Sequence, residues 1–169
     1  KQIQSIERKV ELKRSLLPAY QGWCDGVIAA GKAERIPLLD ELFTTVMAWR
    51  IDVGDFAEAL RMAEHCFRYA IPMPERFRRG TAAFVVDQIA EAAIRAYEAG
   101  EDAARAFPAA VLPMLQDLVD TYDEDLHDEI SAKLQRAIGM AIMAGANIED
   151  EEDLRVRREQ TLRCYLRAL

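Results

Sequence analysis

The chain has 169 residues, of which 51% are hydrophobic and 30% charged, and its formal net charge is −7. This length and apolar content suit one or two small globular domains with a real core. Since no stretch of about 18 apolar residues occurs, we expect no transmembrane helix and no membrane partner. From the charged first residues we expect no secretory signal peptide. The start at Lys1 rather than at Met predicts a fragment of a longer protein.

The charge is distributed unevenly along the chain. Residues 1–80 contain 13 Lys and Arg against 11 Asp and Glu, whereas residues 81–169 contain 9 against 18. A protein that binds DNA by itself usually has a broad basic surface. We therefore expect any DNA contact to come from a local basic patch, from symmetric assembly, or from segments outside these 169 residues.

Apolar residues recur at spacings of three and four throughout, and no alternating strand pattern occurs. The sequence therefore predicts an all-α protein, a bundle of seven or eight helices with hairpin-like, repeat-like packing. The predicted helices cover about residues 2–17, 19–30, 37–53, 55–69, 82–99, 108–122, 124–144 and 149–169. The Ala-rich, acidic stretch 100–107 is the predicted boundary between a core domain, residues 1–102, and a C-terminal helical lobe, residues 103–169.

Particular residues are expected to mark the helix ends. Pro18 should break or kink the first helix, and Gly31 should end the second as a C-terminal cap. Asp55 and Glu58 form a capping-box pattern at the start of the fourth helix. Asp123 is expected to cap the seventh helix at its N-terminus.

Some apolar residues are candidates for contacts between copies of the chain. In the first helix they fall on heptad-like positions, although Lys13 interrupts the seam. Packing of this helix on its own domain is an equally good interpretation. Trp49 lies on an apolar helix face and favours core or subunit packing. The predicted oligomerisation residues are Ile3, Ile6, Val10, Leu17 and Trp49.

The three cysteines, Cys24, Cys66 and Cys164, lie far apart in the sequence. They form no CxxC pair and no Cys/His cluster, so no zinc site is predicted. Their apolar, helical surroundings favour buried free thiols in a reducing compartment.

The most specific segment is Thr45–Asp55, with the sequence TVMAWRIDVGD. It resembles the T-V-M-x-W-R-x-D-x-G-D signature of small terminase subunits from temperate, contractile-tailed phages that package DNA with cohesive ends. The resemblance covers about residues 12–102. Further landmarks agree in order: Leu16-Leu17-Pro18, Trp23 and Gly26, Ala57-x-Ala59-Leu60, Met73-Pro74 before Arg78-Arg79, and Ala92-Ala93-x-Arg95-Ala96 before Ala99-Gly100-Glu101.

The resemblance implies a viral protein that assembles into a homo-oligomeric ring and binds viral double-stranded DNA near the packaging start. It also implies a large terminase subunit as partner, which carries the ATP-driven motor. Members of this family are often labelled endonucleases that direct cohesive-end cutting. They carry a DNA-binding segment before the core and a basic tail after it, and we expect both to lie outside this chain. The implied location is the host cell cytoplasm rather than the mature virion.

Candidates for nuclease chemistry follow from the acidic residues. Metal-dependent cutting needs two or three carboxylates, or a histidine with carboxylates, that converge on a cation. If the seventh helix begins as predicted, Asp123, Glu124 and His127 share one face. The signature supplies Asp52 and Asp55. These two aspartates and His127 are the catalytic candidates, but capping, turn geometry and a solvated acidic helix start explain them without catalysis. No metal site or cofactor is predicted.

The loop at 71–80 contains two prolines and is the best local candidate for DNA contact. Arg76, Arg78 and Arg79 stand beside Phe77, and three guanidinium groups on one loop can bind phosphates. Pairing of these arginines with acidic neighbours is the alternative.

Binding and assembly without intrinsic activity is the leading functional hypothesis. No GxxxxGK[ST] motif occurs, so ATP hydrolysis at a P-loop is excluded. Two alternatives stay open. One is a helical adaptor, since Gly54–Ala63 resembles the joint of a tetratricopeptide repeat, although a 34-residue period is absent. The other is an endonuclease subunit.

Overall fold

A computed structural model describes residues 5–34, 39–146 and 149–167. Within these residues the protein is all-α, as predicted, and contains eight helices, a single 3-10 turn at Glu75–Phe77, and no β-strand. Ile3 and the predicted helix start at Pro37 lie outside the described residues. No helix in the described part is long and apolar enough to cross a membrane. The helices are α1 (Ile6–Glu34), α2 (Glu41–Asp52), α3 (Phe56–Arg68), α4 (Thr81–Glu98), α5 (Glu101–Ala106), α6 (Val111–Tyr122), α7 (Asp128–Ala144) and α8 (Glu151–Arg167).

The chain forms two compact units, Lys1–Val85 and Val86–Leu169, so the division falls inside α4. The stretch 100–107, which is the boundary expected from the sequence, contains the short helix α5. Alanine is the strongest helix former, and Arg105 pairs with Glu101 four residues earlier at 2.8 Å. Local propensity therefore makes this stretch helical rather than a linker.

Pro18 does not break α1, and the first two predicted helices are a single helix. Proline removes one backbone donor, the one that would reach the carbonyl of Arg14. The helix continues because its inner face is buried and packs against α2 and α3. Leu17, Cys24 and Ile28 belong to that face and are each at most 6% exposed. Tertiary packing outweighs the local cost of the proline.

Gly31 lies inside α1, and the predicted helix end at this residue is wrong. A Cβ atom at residue 31 would overlap the ring of His65 in α3, with Nε2 at 3.0 Å and Cε1 closer still. The ring has little room to move, because it is 3% exposed and lies edge-on to Phe43 at 5.5 Å and to Tyr69 at 4.9 Å between centroids. The glycine thus permits the close approach of α1 to α3.

His65 should make the stability of the protein depend on pH. Neither ring nitrogen has a hydrogen-bond partner among the described residues, and burial lowers the pKa of this side chain, helped by the positive charges of Arg68 and Lys32. The unfolded chain therefore binds the proton more readily. The contribution of a neutral His65 is complete above about pH 6.5 and is lost as the pH falls below that value.

In the native protein, we expect the urea concentration at the unfolding midpoint to decrease when the pH is lowered from 7.5 to 5.5. His65→Phe cannot take up a proton, so its midpoint should change less over the same range. Carboxylates with lowered pKa values, such as that of Glu58, titrate at more acidic pH. Equal pH dependence of the two proteins would show that His65 is not the titrating group.

The second unit is built around α7, which packs along α8 and against α6. Its largest fully buried apolar side chains are Ile89, Leu112, Leu115 and Leu134. Lys133 of α7 forms two ion pairs with α4 beside this core. Lys133 Nζ lies 2.6 Å from Asp87 Oδ1 and 3.4 Å from Glu91 Oε2, and the hydrogen bond to Asp87 raises the pKa of Lys133.

Asp123 ends α6 and does not cap α7, contrary to the prediction. Its φ and ψ are 51° and 45°, the left-handed conformation that commonly terminates a helix. Residues 124–127 are not helical, and α7 begins only at Asp128. This start places Asp128 and Glu129 in the first turn, where negative charge is favourable to the helix dipole.

Candidate functional site

The Thr45–Asp55 signature covers most of α2 and the turn that leads into α3. Its apolar residues form core: Val46, Met47, Ala48 and Ile51 are buried. Trp49 is half-buried and meets the ring of Tyr20 edge-on at 5.8 Å. Asp40 caps the start of α2: its side chain accepts hydrogen bonds from the backbone N–H groups of Leu42 and Phe43 at 2.7 and 3.0 Å.

The polar residues of the signature connect the α2–α3 turn to α1 through ion pairs and hydrogen bonds. Lys13 Nζ forms an ion pair with Asp52. Arg50 donates from Nη1 to Asp55 Oδ2 at 2.5 Å and from Nη2 to Gln21 Oε1. Arg50 therefore pairs with Asp55 and not with Asp52, which belongs to Lys13. We call Lys13, Gln21, Arg50, Asp52 and Asp55 the signature clamp.

The predicted capping box of Asp55 and Glu58 is wrong. Asp55 makes no side-chain cap bond at the start of α3, because Arg50 holds its carboxylate. Glu58 accepts hydrogen bonds from Arg61 Nε at 2.9 Å and from Gln21 Nε2 at 3.1 Å. The hydrogen bond from Arg61 lowers the pKa of Glu58 and outweighs the effect of burial. Both carboxylates have charged partners that bind them more strongly than a backbone amide.

An open cleft of about 630 Å³ lies beside the signature clamp. Apolar and polar side chains share its wall: Arg14, Leu17, Pro18, Gln21, Arg50, Val53, Gly54 and Asp55. Arg14 Nη2 donates to the backbone oxygen of Val53 at 3.3 Å. The lining residues include no serine, cysteine or histidine, so the cleft offers no activated nucleophile. Its geometry suits anchoring of α1 rather than bond chemistry.

The basic loop, Arg76–Arg79, is held by a small aromatic cluster. Phe77 meets Phe84 at 4.9 Å between ring centroids, and the guanidinium of Arg76 lies 4.9 Å from the centroid of the Phe77 ring. Arg76 also donates to the hydroxyl of Thr45. Arg78 has a left-handed backbone with φ of 53°.

The three arginines of this loop are exposed. Just after it, the Thr81 hydroxyl donates to the carbonyl of Ile71 at 2.6 Å and closes the base of the loop. A segment with fixed ends and exposed guanidinium groups can bind phosphate or carboxylate groups with little loss of conformational entropy.

The sequence family decides how these features are interpreted. A family model described as phage small terminase subunit matches residues 1–129. The chain belongs to this family. It is also 35% identical over 147 residues to the protein named "Terminase, endonuclease subunit" of Escherichia phage P2, an alignment that covers 87% of this chain and 56% of that protein. The chain spans little more than half the length of this curated relative, and no solved structure matches it.

In this small terminase chain the catalytic candidates do not come together. Glu124 and His127 lie in the non-helical segment before α7, so the shared helix face predicted for Asp123, Glu124 and His127 does not exist. Asp52 and Asp55 bind different cations of the signature clamp. The described residues contain no group of three or more His, Cys, Asp or Glu side chains placed to hold a metal ion.

Two of the three cysteines of the small terminase chain, Cys24 and Cys66, are buried, and Cys164 is half-buried. All three are free, and the prediction of buried thiols is confirmed for Cys24 and Cys66 but not for Cys164. Burial raises the pKa of Cys24 to about 11 and that of Cys66 to about 12. Both thiols therefore stay protonated and unreactive at neutral pH.

The predicted oligomerisation residues have very different surroundings. Leu17 is 3% exposed and is already covered by its own chain, whereas Ile6 is exposed and Val10 and Trp49 are half-buried. A second apolar strip on α1 begins with Leu12 and Leu16 and continues to Trp23 beyond Pro18. The sequence does not predict its full length, because Pro18 is expected to end the helix.

Proposed function

We propose that this chain is the assembly core of a small terminase subunit that works in the host cell cytoplasm. It joins further copies into a ring, contacts viral double-stranded DNA, and recruits or regulates the large terminase subunit. The observation that carries the proposal is the exposed basic loop, Arg76–Arg79, in a member of the small terminase family. A ring would repeat this loop, and linked weak contacts raise the overall affinity without new chemistry.

Local phosphate contacts by this loop can bind DNA although the chain as a whole is acidic. The first unit has a charge balance of +2 and the second of −9, since residues 1–85 hold 13 basic and 11 acidic residues and residues 86–169 hold 9 and 18. Long-range attraction to DNA is therefore weak for a single copy. Short-range phosphate contacts by Arg78 and Arg79, multiplied by assembly, provide the binding energy instead.

We expect Arg78→Ala/Arg79→Ala to weaken binding to any double-stranded DNA and to make the salt dependence shallower. Each lost phosphate contact removes about 0.9 from the slope of log K against log salt concentration, so the change is about 2 for each loop bound to DNA. Fluorescence anisotropy between 50 and 200 mM salt measures both quantities. Arg155→Ala/Arg163→Ala makes the same change of charge on α8 and should leave the slope unaltered. If the two variants changed the affinity and the salt slope equally, the loop would not be the DNA contact.

An endonuclease function is the second candidate, because the relative from phage P2 bears that name. Under the proposed assembly function, the purified chain does not cut cohesive-end DNA with magnesium or manganese. If cutting occurs, Asp52→Asn and His127→Ala test the two predicted positions. Loss of cutting in either variant, with an unchanged circular dichroism spectrum, would favour catalysis over assembly. Cutting that both variants retain would exclude these residues as the source.

A further inference from the structure

An apolar strip runs along the outer face of α1. Its members, the α1 strip, are Leu12, Leu16, Ala19 and Trp23, which follow one another at spacings of four, three and four residues and so share one helix face. Leu12, Leu16 and Trp23 are 46%, 36% and 55% exposed, although they belong to a helix whose opposite side forms the core. Large apolar side chains that are aligned and exposed are typical of a protein contact surface.

The start of the α1 strip is basic. Arg8 and Lys9 precede Leu12 by four and three residues and therefore flank it on the same face. Both are exposed, and within the described part of the chain neither forms an ion pair. Residues 1–14 contain five basic and two acidic residues. The first half of α1 is thus a basic amphipathic helix whose apolar face stays exposed among the described residues of the first unit.

The second unit contains an apolar groove of about 840 Å³ between the α4–α5 segment and the end of α7. We call it the α5–α7 groove. Its larger apolar side chains are Tyr97, Phe107, Met140 and Met143, and its small ones include Ala104, Ala141 and Ala144. Methionine adapts to differently shaped apolar surfaces, and small residues allow a helix to approach closely. A groove of this lining fits the apolar face of an amphipathic helix.

The α5–α7 groove belongs to the acidic second unit. Glu101 lines the groove and Asp102 follows it, fully exposed at the start of α5. Arg105 also lines the groove and pairs with both of them, at 2.8 Å from Glu101 and 3.8 Å from Asp102. The second unit as a whole has a balance of 9 basic against 18 acidic residues, so its groove favours a basic helix over an acidic one.

We propose that the α1 strip of one copy docks into the α5–α7 groove of the next copy. The inference deepens the proposed assembly and rests on it. It gives a partner to two exposed apolar surfaces. One lies beside the basic start of α1, and the other lies in the acidic second unit. Because the two surfaces differ, each copy offers one of each, and such a head-to-tail contact generates a closed ring when the rotation between copies closes.

Charge reversal on each side tests the contact. We expect Arg8→Glu/Lys9→Glu to raise the dissociation constant for self-association at least about tenfold, because like charges then meet across the contact. Glu101→Lys/Asp102→Lys should do the same from the other side. Arg158→Glu/Arg167→Glu changes exposed charges on α8 and should leave assembly intact. Light scattering coupled to size exclusion gives the mass, and circular dichroism verifies the fold of each variant.

Mixing the two charge-reversed variants is the decisive measurement. In an equimolar mixture each reversed α1 meets a reversed groove, and each native α1 meets a native groove. We therefore expect native-like assemblies with the two variants in alternation. As a second measurement, Leu12→Cys and Met143→Cys proteins, each in a Cys164→Ser background, should form a mixed disulfide when oxidised together.

The outcomes separate this inference from the proposed function. A native protein that stays monomeric at high concentration overturns the assembly and the docking together. Native assembly that both charge reversals leave intact overturns the docking and keeps the assembly. Loss of assembly in each variant without rescue on mixing also overturns it, because the two surfaces then do not meet between copies. Rescue together with the mixed disulfide supports it.

Discussion

Replacing Lys133 by methionine is expected to lower the free energy of unfolding by about 2–4 kcal/mol. The side chain of Asp87 is only 10% exposed, and Lys133 donates to it at 2.6 Å. Removal of one partner of a buried pair leaves a carboxylate that water reaches poorly, which costs about 3–5 kcal/mol for full burial. The lower value allows for Lys133 itself, which is 27% exposed. Methionine keeps the aliphatic part of the lysine, so the loss reports the charge. Urea unfolding at pH 7 measures it.

The control for Lys133 uses the same two helices. Arg136 of α7 pairs with Glu98 of α4 at 2.6 Å, but both side chains are about half exposed. Arg136→Met should therefore cost at most about 1 kcal/mol. Asp87→Leu/Lys133→Met removes both charges and should recover most of the loss. Similar losses for Lys133→Met and Arg136→Met would show that burial of Asp87 does not control the energy.

Gly31→Ala is expected to destabilise the protein by about 1–3 kcal/mol, the usual cost of overpacking a core. The new methyl group would overlap the His65 ring, which is held between Phe43 and Tyr69. The sign of the effect is informative, because alanine in a helix interior is normally favoured over glycine by about 1 kcal/mol. Thermal unfolding at pH 7.5, where His65 is neutral, measures the change.

Gly22→Ala provides the matched control for Gly31→Ala. Gly22 lies in the same helix and a Cβ atom there meets nothing within 4 Å. We therefore expect a gain of about 0.5–1 kcal/mol at this position. In a His65→Ala background, the penalty of Gly31→Ala should disappear, since the overlapping ring is gone. Stabilisation by Gly31→Ala in the native background would contradict the close approach of α1 to α3.

Local sequence determined much of the helical architecture. Apolar periodicity is strong in α3, α4 and α6. These three helices begin and end within about three residues of the predicted positions, and so do the end of α2 and the start of α8. Asp40 and Asp150 accept hydrogen bonds from the first backbone amides of α2 and α8 and fix their starts. The signature at Thr45–Asp55 determined the family without any structure. These features depend on residues that are close in the sequence, so they can be predicted from the sequence alone.

The partners of side chains were decided only by the tertiary structure. Judged by local sequence, Pro18 and Gly31 should end a helix. In the structure α1 continues over both, because one of its faces is buried. Asp55 suits a cap, yet Arg50 and Gln21 hold the α2–α3 turn in the signature clamp. The exposed side of α1 could be recognised only once α1 was known to be continuous. The residue that pairs with a charge on one helix, or that occupies the space beside it, comes from another helix brought close by packing. Periodicity along the chain does not determine which residue that is.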